Sequence, residues 1–224
     1  MTDVPTYARR ADFSNYYEAA RTGLLDLLAD MPAPRRVLEI GCGGGANLAE
    51  LKRRFPAIHT TGVEIHPAAA EAARNARRAD AIVVADVLDS HAVNFAPATF
   101  DLIVLSHVLE HFAEPEQVLA RCDGWLSAPG RMLIALPNMR HFSVILQLLF
   151  DGEFRYTDDG ILDRTHLRFY TRASAERMIR AQGLTIVERR ADVAGRKARL
   201  LDVASFGMAR EFTAFAYNFL AVRT

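Results

Sequence analysis

Between Arg35 and Asn138 short apolar runs alternate with stretches of helical pattern, and this rhythm constrains the fold more than any other feature. "RRVLEI", "TTGVEI", "AIVVAD", "FDLIVLSHVL" and "GRMLIALPN" read as strands. "ANLAELKRRF", "PAAAEAARNAR" and "PEQVLARCDGWL" read as the helices between them. Strands with consecutive apolar residues are buried on both faces, which happens when helices cover both sides of a parallel sheet. Strict alternation of the two therefore predicts a doubly wound α/β sheet.

Upstream, "FSNYYEAARTGLLDLLADM" reads as an amphipathic helix with Phe13, Tyr17, Leu24, Leu25 and Leu28 near one face and Ser14 or Asn15 at its start. The "PAP" at 32–34 ends it, so residues 1–34 form an expected N-terminal helical cap. After Asn138 the rhythm breaks. Residues 139–171 read as an insertion carrying a short apolar helix, "HFSVILQLLF", and an irregular loop. "ASAERMIRAQG" follows as a helix closed by Gly183. "LTIVERR" and "FTAFAYNFLAVR" are late strands that pair at a sheet edge, with "KARLLDVASFGMA" as a helix between them. The whole of 1–224 is expected to be one domain.

Composition narrows the function. The chain has 224 residues and is 50% hydrophobic, enough for one well-filled core. Lys plus Arg and Asp plus Glu both number 27, so the basic excess of a nucleic-acid partner is missing. "RRADVAGRKAR" reads as a solvated face. Two cysteines, Cys42 and Cys122, make no disulfide framework of the secreted kind. "MTDVPTYARRADF" has no apolar signal core, and "FSVILQLLF" is too short to span a bilayer. The expected location is the cytoplasm. The apolar stretch also lacks the basic flank of an interfacial helix, so membrane contact is not expected.

The turn "GCGGG", Gly41 to Gly45, gives up side chains at four of five positions at the end of the first strand. Ligands of open parallel sheets sit beyond the carboxyl ends of the strands, and glycine lets a ligand touch bare backbone there. The spacing Gly41, Gly43, Ala46 satisfies the dinucleotide fingerprint, and Glu64 lies where a ribose-binding acid belongs. Glu39 precedes the turn and Asp86 ends the third strand. Carboxylates around the turn, with no Arg or Lys in it, suit a cationic adenosine ligand without phosphates. An NAD-dependent enzyme is disfavoured by those acids and by the absence of a second catalytic domain.

"VLEIGCGGGAN", "GVEIHP", "ADVLD" and "FDLIVLSHVLEHFAEPEQVLARCDGWLSAPGRMLIALPN" resemble, in order and spacing, the class I S-adenosylmethionine-dependent methyltransferases. "LDRTHLRFYT" and "FTAFAYNFLAVR" are similar to the tail of a bacterial subgroup acting on sugars or other small molecules. The resemblance implies a Rossmann-like seven-stranded, mostly parallel sheet with its last strand antiparallel, helices on both faces and a lid insertion after strand five. It implies S-adenosyl-L-methionine as cofactor and a small-molecule acceptor as partner, with a homodimer left open. Glu39 and the backbone at Gly41 and Gly43 would face the methionine part. Glu64 would bind the ribose, Ile65 would pack on the adenine face, and Asp86 and Val87 would hold the adenine edge. Ser106 and His107 would line the pocket beside the methionyl group, with Tyr17 or Arg21 closing over it.

Methyl transfer to a hydroxyl needs an aligned acceptor and a base near neutral pKa, for which histidine is suited. The resemblance points to Glu110 and His111 after strand four. His166, from the insertion, is a second candidate base, with Asp163 beside it; Asn138 and His141 follow strand five. Asp163, Arg164, Thr165 and Arg168 could equally tie the lid to the body. "HVLEH" matches the inverted zinc-protease pattern, but its histidines follow a buried strand and no third ligand is evident, so no metal is expected. The expected reaction is O-methylation of a small hydroxylated acceptor such as a sugar or glycan precursor. A quinone precursor or other aromatic is the alternative acceptor, served by Phe142, Phe154, Tyr156, Phe169 and Tyr170. A non-catalytic cofactor-binding partner subunit is the alternative role.

Overall fold

The computed structural model describes residues 19–193 and 195–223. Strands β1 (Arg36–Ile40), β2 (His59–Glu64), β3 (Ala81–Val84), β4 (Phe100–Ser106), β5 (Leu126–Pro137), β6 (Leu184–Asp192) and β7 (Ala216–Arg223) form one sheet in the order β3-β2-β1-β4-β5-β7-β6. The first five run parallel, while β7 inserts antiparallel between β5 and β6, as the resemblance implied. The strand order reverses between β1 and β4, and this switch point opens a crevice at the carboxyl ends.

Side chains along β1, β4 and β5 alternate between two cores. Leu38, Ile40, Ile103, Leu105, Met132 and Ile134 face one side, where helices α4 (Pro115–Trp125) and α6 (Arg172–Ala181) contribute Val118, Leu119 and Ile179. Val37, Leu102, Val104 and Leu133 face the other, where Leu48 and Leu51 of α2 (Ala46–Arg54) pack with Leu24, Leu25, Leu27 and Leu28. Each fully buried leucine stabilises the fold by about 1.5–3 kcal/mol before entropy is counted. Helix α3 (Pro67–Asn75) begins on Pro67 and buries Ala69, Ala70 and Ala73. Thr171 and Ser174 form a reciprocal capping box at the start of α6, and Gly183 adopts φ 77° beyond its end. Trp125 and Cys122 are core residues.

The expected helix from Phe13 is not continuous. Its first residues, with Tyr17, lie outside the described ones. Ala19–Arg21 are non-helical, and helical structure is limited to α1 (Thr22–Leu25) and a 3-10 turn over Asp26–Leu28. The reason is tertiary. The Arg21 N–H donates to Asn47 Oδ1 at 2.7 Å instead of to a carbonyl of its own helix.

Residues 139–171 leave the sheet and return to it. Met139 N–H donates to the Tyr170 carbonyl, and Asn138 bridges Tyr170. Inside the excursion are α5 (Phe142–Leu146), a π-helical turn over Gln147–Asp151, and a small core of Val144, Ile161 and Leu162. Between β6 and β7 lie α7 (Arg196–Ala204) and α8 (Arg210–Thr213).

Candidate functional site

Two adjoining hollows occupy the switch point. The larger encloses about 700 Å³ of open space and is lined by Gly41, Gly43, Glu64, Ile65, Asp86, Val87, His107, His111 and Thr165, among others. The smaller, about 490 Å³, is lined by Arg21, Glu39, Gly41, Asn47, Ser106, His107 and His111, with Ala19, Cys42 and Ala46. Gly41, His107 and His111 belong to both. The cofactor-binding residues expected from the sequence are thus gathered around one continuous crevice.

The glycine turn shapes the floor. Gly41 has φ 67°, and a Cβ there would meet Val108 Cγ2 at 2.7 Å. Gly45 at φ 78° precedes α2 and lets the backbone approach Ala73 and Arg78. The Glu64 carboxylate braces the turn by accepting the Gly43 N–H at 2.7 Å on one oxygen and the His66 N–H at 2.9 Å on the other. Each oxygen keeps a further lone pair for a ligand hydroxyl. Asp86 accepts the Leu88 N–H at 2.8 Å and stands half-buried at the rim. Cys42 packs beneath the turn, close enough that a Cβ on Gly62 would meet its sulfur at 2.5 Å, and burial pushes its thiol well up.

Glu39 is fully enclosed. Asn47 Nδ2 donates to one of its oxygens at 2.7 Å, while the other is buried with no hydrogen-bond partner among the described residues. Burial pushes its carboxyl up to about 8; the Asn47 bond opposes this and the charge of Glu64 adds to it. Sequence reasoning missed Asn47. Its signal was present as an amide in the first turn after the glycines.

Past β4 the chain turns sharply. His107 takes φ 53°, a left-handed conformation rare for a non-glycine residue, and a 3-10 turn over Leu109–His111 follows. The glutamate of that turn is 1% exposed, and among the described residues the polar side chains beside its carboxylate are imidazoles. Imidazoles surround it: His107 Nδ1 lies 3.5 Å and His166 Nε2 3.9 Å from Glu110 Oε1. The His111 and His166 rings meet edge to face at 4.8 Å. Burial pushes the Glu110 carboxyl up, but the three imidazoles outweigh it and hold the group below the usual carboxylate range. Burial also lowers the His111 pKa.

The insertion roofs this cluster and is fastened to it. Leu167 and Arg168 both donate their N–H groups to the Glu110 carbonyl, at 2.8 and 3.0 Å, and Arg168 Nε donates to the Ala113 carbonyl. Thr165 contacts His111, a contact that the sequence did not single out. "LDRTHLRFYT" therefore both ties the lid down and delivers His166. Asn138 and His141, expected near the crevice, are used elsewhere. Asn138 Nδ2 donates to the carbonyls of Glu211 and Ala214. His141 caps α5, accepting the Ser143 N–H, and its ring rests against Phe142 and Phe215.

A model for a family described as a methyltransferase domain matches residues 9–189. The chain belongs to the class I S-adenosylmethionine-dependent methyltransferases. It is 32% identical over 116 residues to trans-aconitate 2-methyltransferase of Methylobacterium radiotolerans, a match covering 50% of this chain and 43% of that protein. It is 26% identical over 121 residues to ubiquinone biosynthesis O-methyltransferase of Coxiella burnetii, covering 54% and 50%. The chain thus spans about half the length of these curated relatives. A solved S-adenosylmethionine-dependent methyltransferase from Archaeoglobus fulgidus shares the fold with a TM-score of 0.66 and 18% identity, covering 90% of this chain and 92% of that one.

The methyltransferase crevice suits S-adenosylmethionine on its own chemistry. A buried carboxylate oxygen on Glu39, unpartnered among the described residues, complements a cation, the space fits a nucleoside, and backbone lies bare at the glycines. Helices in the described residues are all too short or too polar to cross a membrane.

Proposed function

We propose that this methyltransferase transfers a methyl group to a hydroxyl of a small acceptor, a sugar or glycan precursor. Glu39 and the turn at Gly41 and Gly43 hold the amino-acid end of the cofactor. Glu64 takes the ribose hydroxyls, Ile65 covers one adenine face, and Asp86 with Val87 holds the adenine edge. Ser106 and His107 flank the place where the two hollows join. S-adenosylmethionine, when bound, supplies the electrophilic methyl. The remaining work falls to Glu110, His111 and His166: to seat the acceptor oxygen and remove its proton.

One observation carries this reading. The buried Glu110 carboxylate stands behind the join of the two hollows, its only neighbours among the described polar side chains being imidazoles, two of which, His107 and His111, line both hollows beneath the insertion. A purely structural role would have satisfied the carboxylate oxygens more closely. The roles of Glu39 and Glu64 are tested by calorimetric titration with S-adenosylhomocysteine, for which a flat trace would overturn them. Turnover is tested on a panel of sugars, hydroxy acids and phenols. Cofactor binding without turnover on any acceptor would mark the chain as a partner subunit instead.

An aromatic acceptor is the second reading, and a specific feature favours it. Phe154, Tyr156 and Phe169 form an edge-to-face cluster with centroids 5.2–6.3 Å apart, and Phe169 lies 6.3 Å from the His166 ring. Phe142 sits against His141 and Tyr170 is in the core, so neither joins that cluster.

A further inference from the structure

We propose that Glu110, His111 and His166 form a binding site for a divalent transition-metal cation at the acceptor end of the crevice. The argument begins with where the imidazole protons must be. His166 Nδ1 lies 2.9 Å from the Ile161 carbonyl, an acceptor only, so Nδ1 carries a proton and, in the neutral ring that a cation would bind, Nε2 presents a bare lone pair. That lone pair faces Glu110 Oε1 at 3.9 Å. His111 Nδ1 lies 3.3 Å from the Thr165 carbonyl and 3.1 Å from Thr165 Oγ1. The Thr165 hydroxyl donates its one proton to Asp163 Oδ1 at 2.6 Å. Both Thr165 oxygens are therefore acceptors, and His111 too is protonated on Nδ1 and bare on Nε2.

The result is a knot of acceptors. Two imidazoles and a carboxylate 1% exposed each place one ligand atom within 4.8 Å of the others. The one donor beside these three acceptors is His107 Nδ1, a long 3.5 Å from Glu110 Oε1, and a cation at their centre satisfies all of them at once. Bonds of about 2.0–2.2 Å to a zinc-like ion require donors roughly 3–3.5 Å apart, a contraction of about an ångström from the widest separation here. The backbone and hydroxyl bonds to the two Nδ1 atoms are the outer contacts that fix a metal-binding histidine's tautomer and aim.

Two histidines and one carboxylate favour a first-row transition cation, Zn²⁺ above the harder Mn²⁺, over Ca²⁺, and they leave coordination positions open. The open side meets the crevice through His111, which lines both hollows. A hydroxyl bound there loses its O–H proton to solvent water more readily, because the cation stabilises the alkoxide left behind. An acceptor with two adjacent oxygens, such as a vicinal diol, occupies the open positions best. This inference rests on the reading above only for the identity of the bound oxygen.

The test uses the full chain, freed of any affinity tag and dialysed against chelator. Titration with Zn²⁺ and separately with Mn²⁺ is expected to show one site per chain for at least one of them. Glu110→Gln and His166→Ala are expected to weaken it at least 100-fold, while S-adenosylhomocysteine affinity, which also reports folding, changes less than threefold. Co²⁺ added to the unaltered chain should give visible absorption bands of a low-coordinate histidine site. The metal site is overturned if no cation binds stoichiometrically, or if both variants bind it as the unaltered chain does. Retained cofactor binding and turnover in chelator would then leave the methyl-transfer reading standing, whereas loss of S-adenosylhomocysteine binding in the unaltered chain would sink that reading instead.

Discussion

Asn47 Nδ2 donates to Glu39 Oε1 at 2.7 Å while Asn47 Oδ1 accepts the Arg21 N–H at the same distance. One amide thus links the first helix, the cofactor turn and the buried acid. Only one Glu39 oxygen is secured by it, and the other faces inward with no hydrogen-bond partner among the described residues. A positive ligand group is what this geometry lacks.

The first prediction follows from that acid. Its carboxyl is pushed up to about 8 by burial in the folded chain, against an ordinary 4.5. The folded state therefore holds the proton more tightly than the unfolded state does. The associated stability is complete below pH 4.5, shrinks as the pH rises, and is gone once it passes about 8. Thermal unfolding of the ligand-free chain should fall across that window, and Glu39→Gln should flatten the fall. An unchanged pH slope in the variant would contradict it.

Glu64→Ala should weaken S-adenosylhomocysteine binding more than His111→Ala does. A hydrogen bond to a charged group is worth about 1.5–3 kcal/mol, or roughly 10- to 100-fold in affinity. His111→Ala should stay within about threefold. Calorimetry on both variants decides, and the reverse order would undo the division of roles.

Gly41→Ala should destabilise the fold by at least about 1–2 kcal/mol, the cost of a left-handed alanine. The contact its Cβ would make with Val108 Cγ2 at 2.7 Å adds to that. Urea unfolding measures the loss, and a midpoint equal to that of the unaltered chain would refute the strain.

Phe154→Ala distinguishes the acceptor classes. An aromatic pair contributes about 0.5–1.5 kcal/mol, so KM for a phenolic acceptor should rise about two- to tenfold. KM for a sugar should be unaltered. Equal effects on both would remove the aromatic cluster from acceptor recognition.

Local patterns made much of this legible beforehand. Continuous apolar runs announced the parallel strands, and the glycine turn with Glu64 placed the crevice, because both obey short-range rules of backbone and burial. What escaped depended on distant partners. The first helix breaks at Ala19–Arg21 because Arg21 finds Asn47, which no local periodicity reports. Asn138 and His141 follow the right strand, yet their polar atoms are used on Glu211, Ala214 and Ser143. Asn47 went unnoticed, and Thr165 was legible only as a tie of the lid to the body, since their importance lies in whom they hold. The histidine knot draws His166 from the insertion to a turn after β4, a meeting that only the folded chain displays.

Glu110 accepts both Leu167 and Arg168 on its main-chain carbonyl and offers its carboxylate to the imidazoles from the same position. Segment 163–168 is thereby fastened directly to the Glu110 turn, whereas the stretch from Phe142 to Gly160 is held through its neighbours in the insertion, by the Thr157–Asp163 bridge and the core of Val144, Ile161 and Leu162. Substitutions between Phe142 and Gly160 can therefore accumulate while Glu110, His111 and His166 stay in register.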